Sequence, residues 1–147
     1  MRPRNNAILV ITSTRFTAND LSSAIAVAPD RSWEKGGQRG RGARHGKFAA
    51  SGIEYESRVD RSLPPAEHLA DVLLRLGSHL QAVVDLRECG DGDVQLRCWI
   101  YIETAEPPAE FALPPEHLAP LIAVDCEVGI NVDFVGDIAA KETHTTV

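Results

Sequence analysis

The residues best suited to binding chemistry lie in a basic, glycine-rich stretch, RSWEKGGQRGRGARHGKF, at residues 31–48. It contains six Lys or Arg, five Gly and a single acid, Glu34. A phosphate-binding loop needs the pattern G-x-x-x-x-G-K-[ST] between a strand and a helix, so that backbone N–H groups surround the phosphate. Here Lys47 is followed by Phe48 and then by a predicted strand. The spacing, the residue type and the context therefore all argue against a nucleotide loop.

Three roles for this stretch stay open. Its composition favours a solvated connecting loop; the other two are a site for an acidic partner and a nucleic-acid or nucleotide site. The bases of the acidic-partner site would be Lys35, Arg39, Arg41, Arg44 and Lys47. Base stacking needs aromatic rings among the charges, and only Trp33 and Phe48 are present. The whole chain has a net charge of −6, so general nucleic-acid binding is disfavoured.

A second candidate surface lies in VQLRCWIYIE, residues 94–103. Apolar residues alternate there with other types, which is typical of a strand with one buried face. The residues predicted on the opposite face are Arg97, Trp99 and Tyr101. Because Trp, Tyr and Arg dominate the energetics of protein interfaces, these three form a candidate interaction surface. The alternative is that helices or the Pro-rich segment after this strand cover the same face.

Catalytic and metal-binding patterns are not recognisable. There is no G-x-S-x-G element and no H-E-x-x-H element, and Cys98 is predicted to be an inert core thiol. His68 and His117 each follow a Glu in the first turn of a helix that begins with Pro-Pro, so both are predicted at the surface. The acidic DGD at residues 91–93 is predicted to be a hairpin-type turn rather than a metal loop. We therefore predict no catalytic residue, no metal ligand and no cofactor.

Size and cysteine usage indicate the class of protein. A chain of 147 residues with 44% hydrophobic residues suits one domain with its own core. Its three cysteines form no C-x-x-C pair, which favours free thiols and a cytoplasmic location. No segment approaches the ~20 apolar residues of a membrane span, and the short apolar run AILVI is not a signal peptide.

The elements that position these residues follow from periodicity. Strands are predicted at residues 7–16, 51–60, 94–103 and 126–135, and helices after Thr17, over 65–86 and over 114–124. Thr17 with Asp20 forms a capping-box pattern at the start of the first helix. In the long helix, apolar residues recur every three or four positions, and Gly77 either continues that helix or kinks it.

Strands mixed with helices predict an α+β fold, a single-layer antiparallel or mixed sheet packed by helices. LSSAIAV and LAPLIAV share the pattern Leu-x-x-x-Ile-Ala-Val, which suggests a ferredoxin-like fold with an internal pseudo-repeat. The predicted organisation is a flexible N-terminus at 1–6, a single domain at 7–136 and a flexible C-terminal tail at 137–147.

This order of elements resembles the small bacterial family catalogued as domain of unknown function 4279, over about residues 8–136. The stretches that carry the resemblance are TANDLSSAI, LPPAEHLADVLLRL, VQLRCWIYIE and LPPEHLAPLIAV. One departure is that Ile53 and Tyr55 stand on the middle strand where the family often has Trp. The resemblance implies a standalone intracellular domain without established activity and, for some relatives, an immunity-like role beside toxins. It supplies no catalytic residues.

Three hypotheses of function follow. The favoured one is a protein-interaction module whose partner is a toxin-like or acidic protein. Such a module would be immunity-like if it neutralises a toxin. The alternative is a small-ligand-binding protein or an enzyme whose site is assembled from residues distant in the chain. The third is a structural subunit of a homo-oligomer.

Overall fold

The computed structural model describes residues 4–40, 46–90, 93–105 and 112–135. Its strands are β1 (Asn6–Ser13), β2 (Arg31–Trp33), β3 (Ser51–Glu56), β4 (Gln95–Thr104) and β5 (Glu127–Phe134). Its helices are α1 (Ala18–Ile25), α2 (Pro65–Leu76), α3 (Gln81–Cys89) and α4 (Pro115–Ala123). No helix in these ranges is long and apolar enough to cross a membrane. The tail predicted at 137–147 lies outside the described residues.

The five strands form one mixed sheet in the order β2-β3-β1-β4-β5. All neighbours are antiparallel except β4 and β5, which are parallel. The predicted α+β class is confirmed, and the first four strands with their helices follow the β-α-β-β-α-β order of ferredoxin-like folds. The pseudo-repeat is not confirmed. Helix α1 joins strands that β3 separates, whereas α4 joins the direct neighbours β4 and β5.

The core lies on one face of the sheet, centred on β1. Ala7, Leu9 and Ile11 are fully buried, and Leu9 lies opposite Tyr55 on one side and Cys98 on the other. The side chains that α1, α2 and α4 add to the same core are Leu21, Ile25, Leu69, Val72, Leu76 and Leu121. The helices thus cover one face, and the predicted burial of Cys98 is confirmed.

Local signals explain where the helices begin and break. The capping box at α1 is confirmed, because Thr17 Oγ1 accepts from the Asp20 N–H at 3.1 Å and Asp20 Oδ2 accepts from the Thr17 N–H at 3.1 Å. The helix predicted over 65–86 is divided into α2 and α3 by a 3₁₀ turn, Gly77–His79. A glycine and a serine are weak helix formers, so the break falls there.

The alternation in residues 126–135 also predicts that Val128, Ile130, Val132 and Phe134 lie in the core, and strand β5 differs from that prediction. Val128 and Ile130 lie in register with the fully buried Cys98 and Ile100, and Phe134 with the half-buried Thr104. The three β5 residues are nevertheless 37%, 45% and 58% exposed. The physical reason is position: β5 is the last strand of the sheet, and the helix layer leaves its apolar residues partly open.

Candidate interaction surface

The face of the sheet opposite the helices is here called the open face. It carries the even-numbered residues of β1 and β3 and the odd-numbered residues of β2, β4 and β5, as the strand pairing requires. Alternate residues along a strand point to opposite faces, so the candidate residues Arg97, Trp99 and Tyr101 share this face. Arg97 is exposed, while Trp99 and Tyr101 are half-buried. Among the described residues no helix covers them.

The half-burial of Trp99 comes from a glycine on the neighbouring strand. Gly129 lies directly opposite Trp99, and a Cβ atom at Gly129 would lie 2.2 Å from the Trp99 ring. The indole therefore occupies the space over Gly129 of β5, where no side chain displaces it. One side of the ring packs on the sheet, and Trp99 as a whole is half-buried.

The same arrangement recurs at the opposite edge of the open face. Trp33 lies opposite Gly52, where a Cβ atom would be 2.3 Å from the ring. Trp33 Nε1 donates to the Ala50 carbonyl at 3.1 Å, and its ring stacks on Phe48 with centroids 5.4 Å apart. Each of the two tryptophans thus lies over a glycine of the strand next to its own, and both are on the open face.

Charged groups surround the rings. Arg97 Nε lies 3.4 Å from Glu127 Oε2, which ties β4 to β5 across the open face. A cleft of about 400 Å³ lies at one end, beside Tyr101. The charged residues lining this cleft are Arg4, Arg61, Glu103 and Asp133. Both signs of charge therefore meet beside one aromatic ring.

The basic stretch begins as an extension of the sheet. Beyond β2, the Gly36 N–H donates to the Phe48 carbonyl at 2.8 Å and the Phe48 N–H to the Gly37 carbonyl at 2.9 Å. Lys35, Arg39 and Lys47 are exposed; the guanidinium of Arg39 lies 5.7 Å from the Phe48 ring centroid. Arg41 and Arg44 lie outside the described residues. The acidic-partner role stays a prediction.

A Ser–His pair is present, but its burial points to a structural role. Ser57 Oγ lies 2.7 Å from His68 Nδ1 and donates to Asn6 Oδ1 at 2.8 Å. His68 is fully buried and Ser57 nearly so, so a substrate has no access to the hydroxyl.

The predicted surface position of His68 is wrong, because His68, Val72 and Leu76 are spaced four apart on the buried stripe of α2. His117 is half-buried, beside Leu73 and Leu74.

Burial of His68 should make stability depend on pH. Burial, and next the positive charge of Arg61, lower the pKa of His68 below its ordinary value of 6.5. The unfolded chain takes up a proton as the pH falls through about 6.5, whereas the folded chain resists it, so the free energy of unfolding should fall there. Urea unfolding at several pH values checks this. His68→Gln should flatten the curve below that pH, and parallel curves for both chains would contradict the prediction.

The remaining reactive groups form no site in the part of the chain that the structure describes. Burial raises the pKa of the Cys98 thiol to about 12 and that of Cys126 to about 11, so neither is a ready nucleophile. No group of three or more His, Cys, Asp or Glu in the described ranges could hold a metal ion.

Comparison with known proteins gives a family. The model of the family described as "Domain of unknown function (DUF4279)" matches residues 3–134. The chain belongs to this family. No curated protein and no solved structure matches it. The match covers all five strands of this DUF4279 chain, and so both tryptophans of the open face.

Sequence reasoning found three members of the open face and missed the glycines beneath its rings. Alternation placed Arg97, Trp99 and Tyr101 together because that period is local. Gly52 and Gly129 are informative only once the register is known, since each faces a tryptophan on another strand. A glycine within a strand is itself a signal of close approach by another group, and this signal was available in both SGIEYE and EVGINV.

Proposed function

We propose that this protein is a protein-interaction module that binds its partner on the open face. The observation that carries the proposal is Trp99, whose ring lies over Gly129 between Arg97 and Tyr101, on a face that no helix of the described residues covers. A ring held by its own sheet loses little conformational freedom when a partner binds. Each Å² of exposed apolar area that the partner covers contributes about 25 cal/mol of favourable transfer free energy. Both properties favour a binding hot spot.

The strands of the open face carry more acids than bases. The strand residues of the open face that carry charge are the acids Glu54, Glu56, Glu103, Glu127 and Asp133 and the bases Arg31 and Arg97. An excess of acids favours a partner with a basic surface. We propose an immunity-like role, in which the protein sequesters a toxin-like partner in the cytoplasm. The free thiols support that compartment.

The test combines Trp99→Ala and Tyr101→Ala in one variant and measures capture of the proteins encoded by the two genes that flank its own. We expect at least a thirtyfold loss of affinity, since hot-spot truncations cost about 2 kcal/mol or more. Arg97→Ala should weaken binding by removing an arginine contact, with little effect on unfolding, because its side chain is 45% exposed and its ion pair with Glu127 is a surface pair. Leu74→Ala is the matched control, since it removes an 88% exposed apolar side chain from α2 and should leave capture unchanged.

Two outcomes would contradict the proposal. Unchanged capture by both open-face variants would place the binding surface elsewhere. A large loss of stability in a chain that stays monomeric would mean that the two rings serve the fold and not a partner.

A second candidate function is small-ligand binding in the cleft beside Tyr101. The observation that favours it is the meeting of Arg4 and Arg61 with Glu103 and Asp133 around about 400 Å³, a size that suits a small polar molecule carrying both charges. A molecule retained by the wild-type protein in native mass spectrometry, and lost from Arg61→Ala, would favour this function.

A further inference from the structure

The outer edge of β5 presents unpaired backbone groups. Within the described residues β5 pairs with β4 alone, and the Val135 N–H donates to the Thr104 carbonyl at 2.9 Å. Donors alternate along a strand, so the odd-numbered residues of β5 point their N–H groups toward β4. The outward-pointing N–H and carbonyl groups are therefore those of Val128, Ile130, Val132 and Phe134.

The apolar layer is incomplete at this edge. On the helix side of the sheet, Cys98 and Ile100 of β4 are fully buried, while their β5 partners Val128 and Ile130 are 37% and 45% exposed. A further strand with apolar residues on that side would continue the layer and cover these side chains.

In the part of the chain that the structure describes, this edge carries few of the features that usually protect an exposed strand. Exposed edges are normally short, or carry Lys, Pro or a bulge that discourages pairing. The opposite edge strand, β2, has three residues and includes Arg31. In contrast, β5 has eight residues, EVGINVDF, with neither Lys nor Pro, and pairs without a bulge.

Charge argues against a second copy as the occupant. In the antiparallel pair of two β5 strands that is centred on Ile130, Glu127 of each copy would lie opposite Asp133 of the other, on the open face. Like charges directly opposite destabilise a strand pair. The same acids favour a strand that places Lys or Arg on the open face.

We propose that the outer edge of β5 binds an extended segment of a different protein as a sixth strand. The segment alternates apolar residues, which face the helix side, with Lys or Arg, which face Glu127 and Asp133. Backbone hydrogen bonds supply affinity in strand addition and alternate side chains supply specificity. The proposal goes beyond the open-face function and does not depend on it, because it uses backbone groups and not the rings of Trp99 and Tyr101.

The experiment titrates an octapeptide of alternating Val and Lys against the full chain by calorimetry. We expect at least tenfold tighter binding than for the Val and Glu octapeptide. Ile130→Pro removes an outward N–H at a place where an edge strand tolerates proline, and should abolish binding. Ile130→Ala loses the same side chain but keeps the N–H, so it should retain most of the affinity. The net charge is unchanged in both variants, which separates strand addition from general attraction to an acidic protein.

Modified peptides keep the test decisive if Ile130→Pro does not fold. Methylation of the valine nitrogens should abolish binding to the wild-type chain if the added strand is antiparallel, and methylation of the lysine nitrogens if it is parallel, because different N–H groups then face β5. Binding that survives both modifications would overturn the proposal, as would equal affinity for the Glu peptide. Concentration-dependent dimerisation that Ile130→Pro abolishes would assign the edge to a second copy and overturn it too.

Discussion

Leu76→Ala is expected to lower the free energy of unfolding by about 2–5 kcal/mol, the range for buried leucines truncated in a well-packed core. Leu76 is fully buried at the end of α2, where the helix gives way to the 3₁₀ turn. The variant loses the burial of the side chain and leaves a cavity that the neighbouring core residues can fill only in part. Urea unfolding monitored by circular dichroism measures the loss.

The matched control is Leu74→Ala, two positions earlier on the same helix. Leu74 is 88% exposed, so its truncation should change the free energy of unfolding by no more than about 0.5 kcal/mol. Both variants make the same chemical change in the same helix, so the difference between them isolates burial. Equal effects at the two positions would show that α2 presents a different face to the sheet.

Asp93→Ala is expected to cost about 1.5–3 kcal/mol, the range for hydrogen bonds to a charged group. The Asp93 carboxylate accepts from the Thr14 N–H at 3.0 Å and from the Arg15 N–H at 2.9 Å, and it also accepts from the hydroxyls of Ser13 and Thr14. It thus joins the end of β1 to the segment before β4. Truncation leaves these donors without their acceptor, and chemical denaturation should report the loss.

The same carboxylate should contribute to acid sensitivity. Hydrogen bonds from Ser13 and then Thr14 are the main causes that lower the pKa of Asp93 to about 2, from its ordinary 3.8. Its stabilisation is complete above pH 3.8 and is lost as the pH falls toward 2, because the unfolded chain takes up the proton first. Compared with Asp93→Asn, the wild-type chain should therefore lose its advantage over that interval. A constant difference would contradict the assignment.

The local elements of this protein follow from its sequence. Alternation along residues 94–103 separated Cys98 from Trp99, and spacings of three and four in α2 selected Leu69 and Leu76 for the core. Thr17 and Asp20 marked the start of α1. Each of these signals needs only neighbours within one or two turns of helix or along one strand, because periods of 3.6 and 2 are properties of local backbone geometry.

Only the tertiary structure decided which of these surfaces stay open. In the described part of the chain one face of the sheet carries no helix, and β5 lies at an edge with Ile130 half exposed. Both features depend on the order in which distant strands pair. The match of Trp99 to Gly129 depends on register, and Asp93 meets Ser13 across 80 residues. His68 is buried because the first turn of α2 packs beside Ser57. Local periodicity does not encode such long-range pairings, because they are set by how separate elements bury one another's apolar faces.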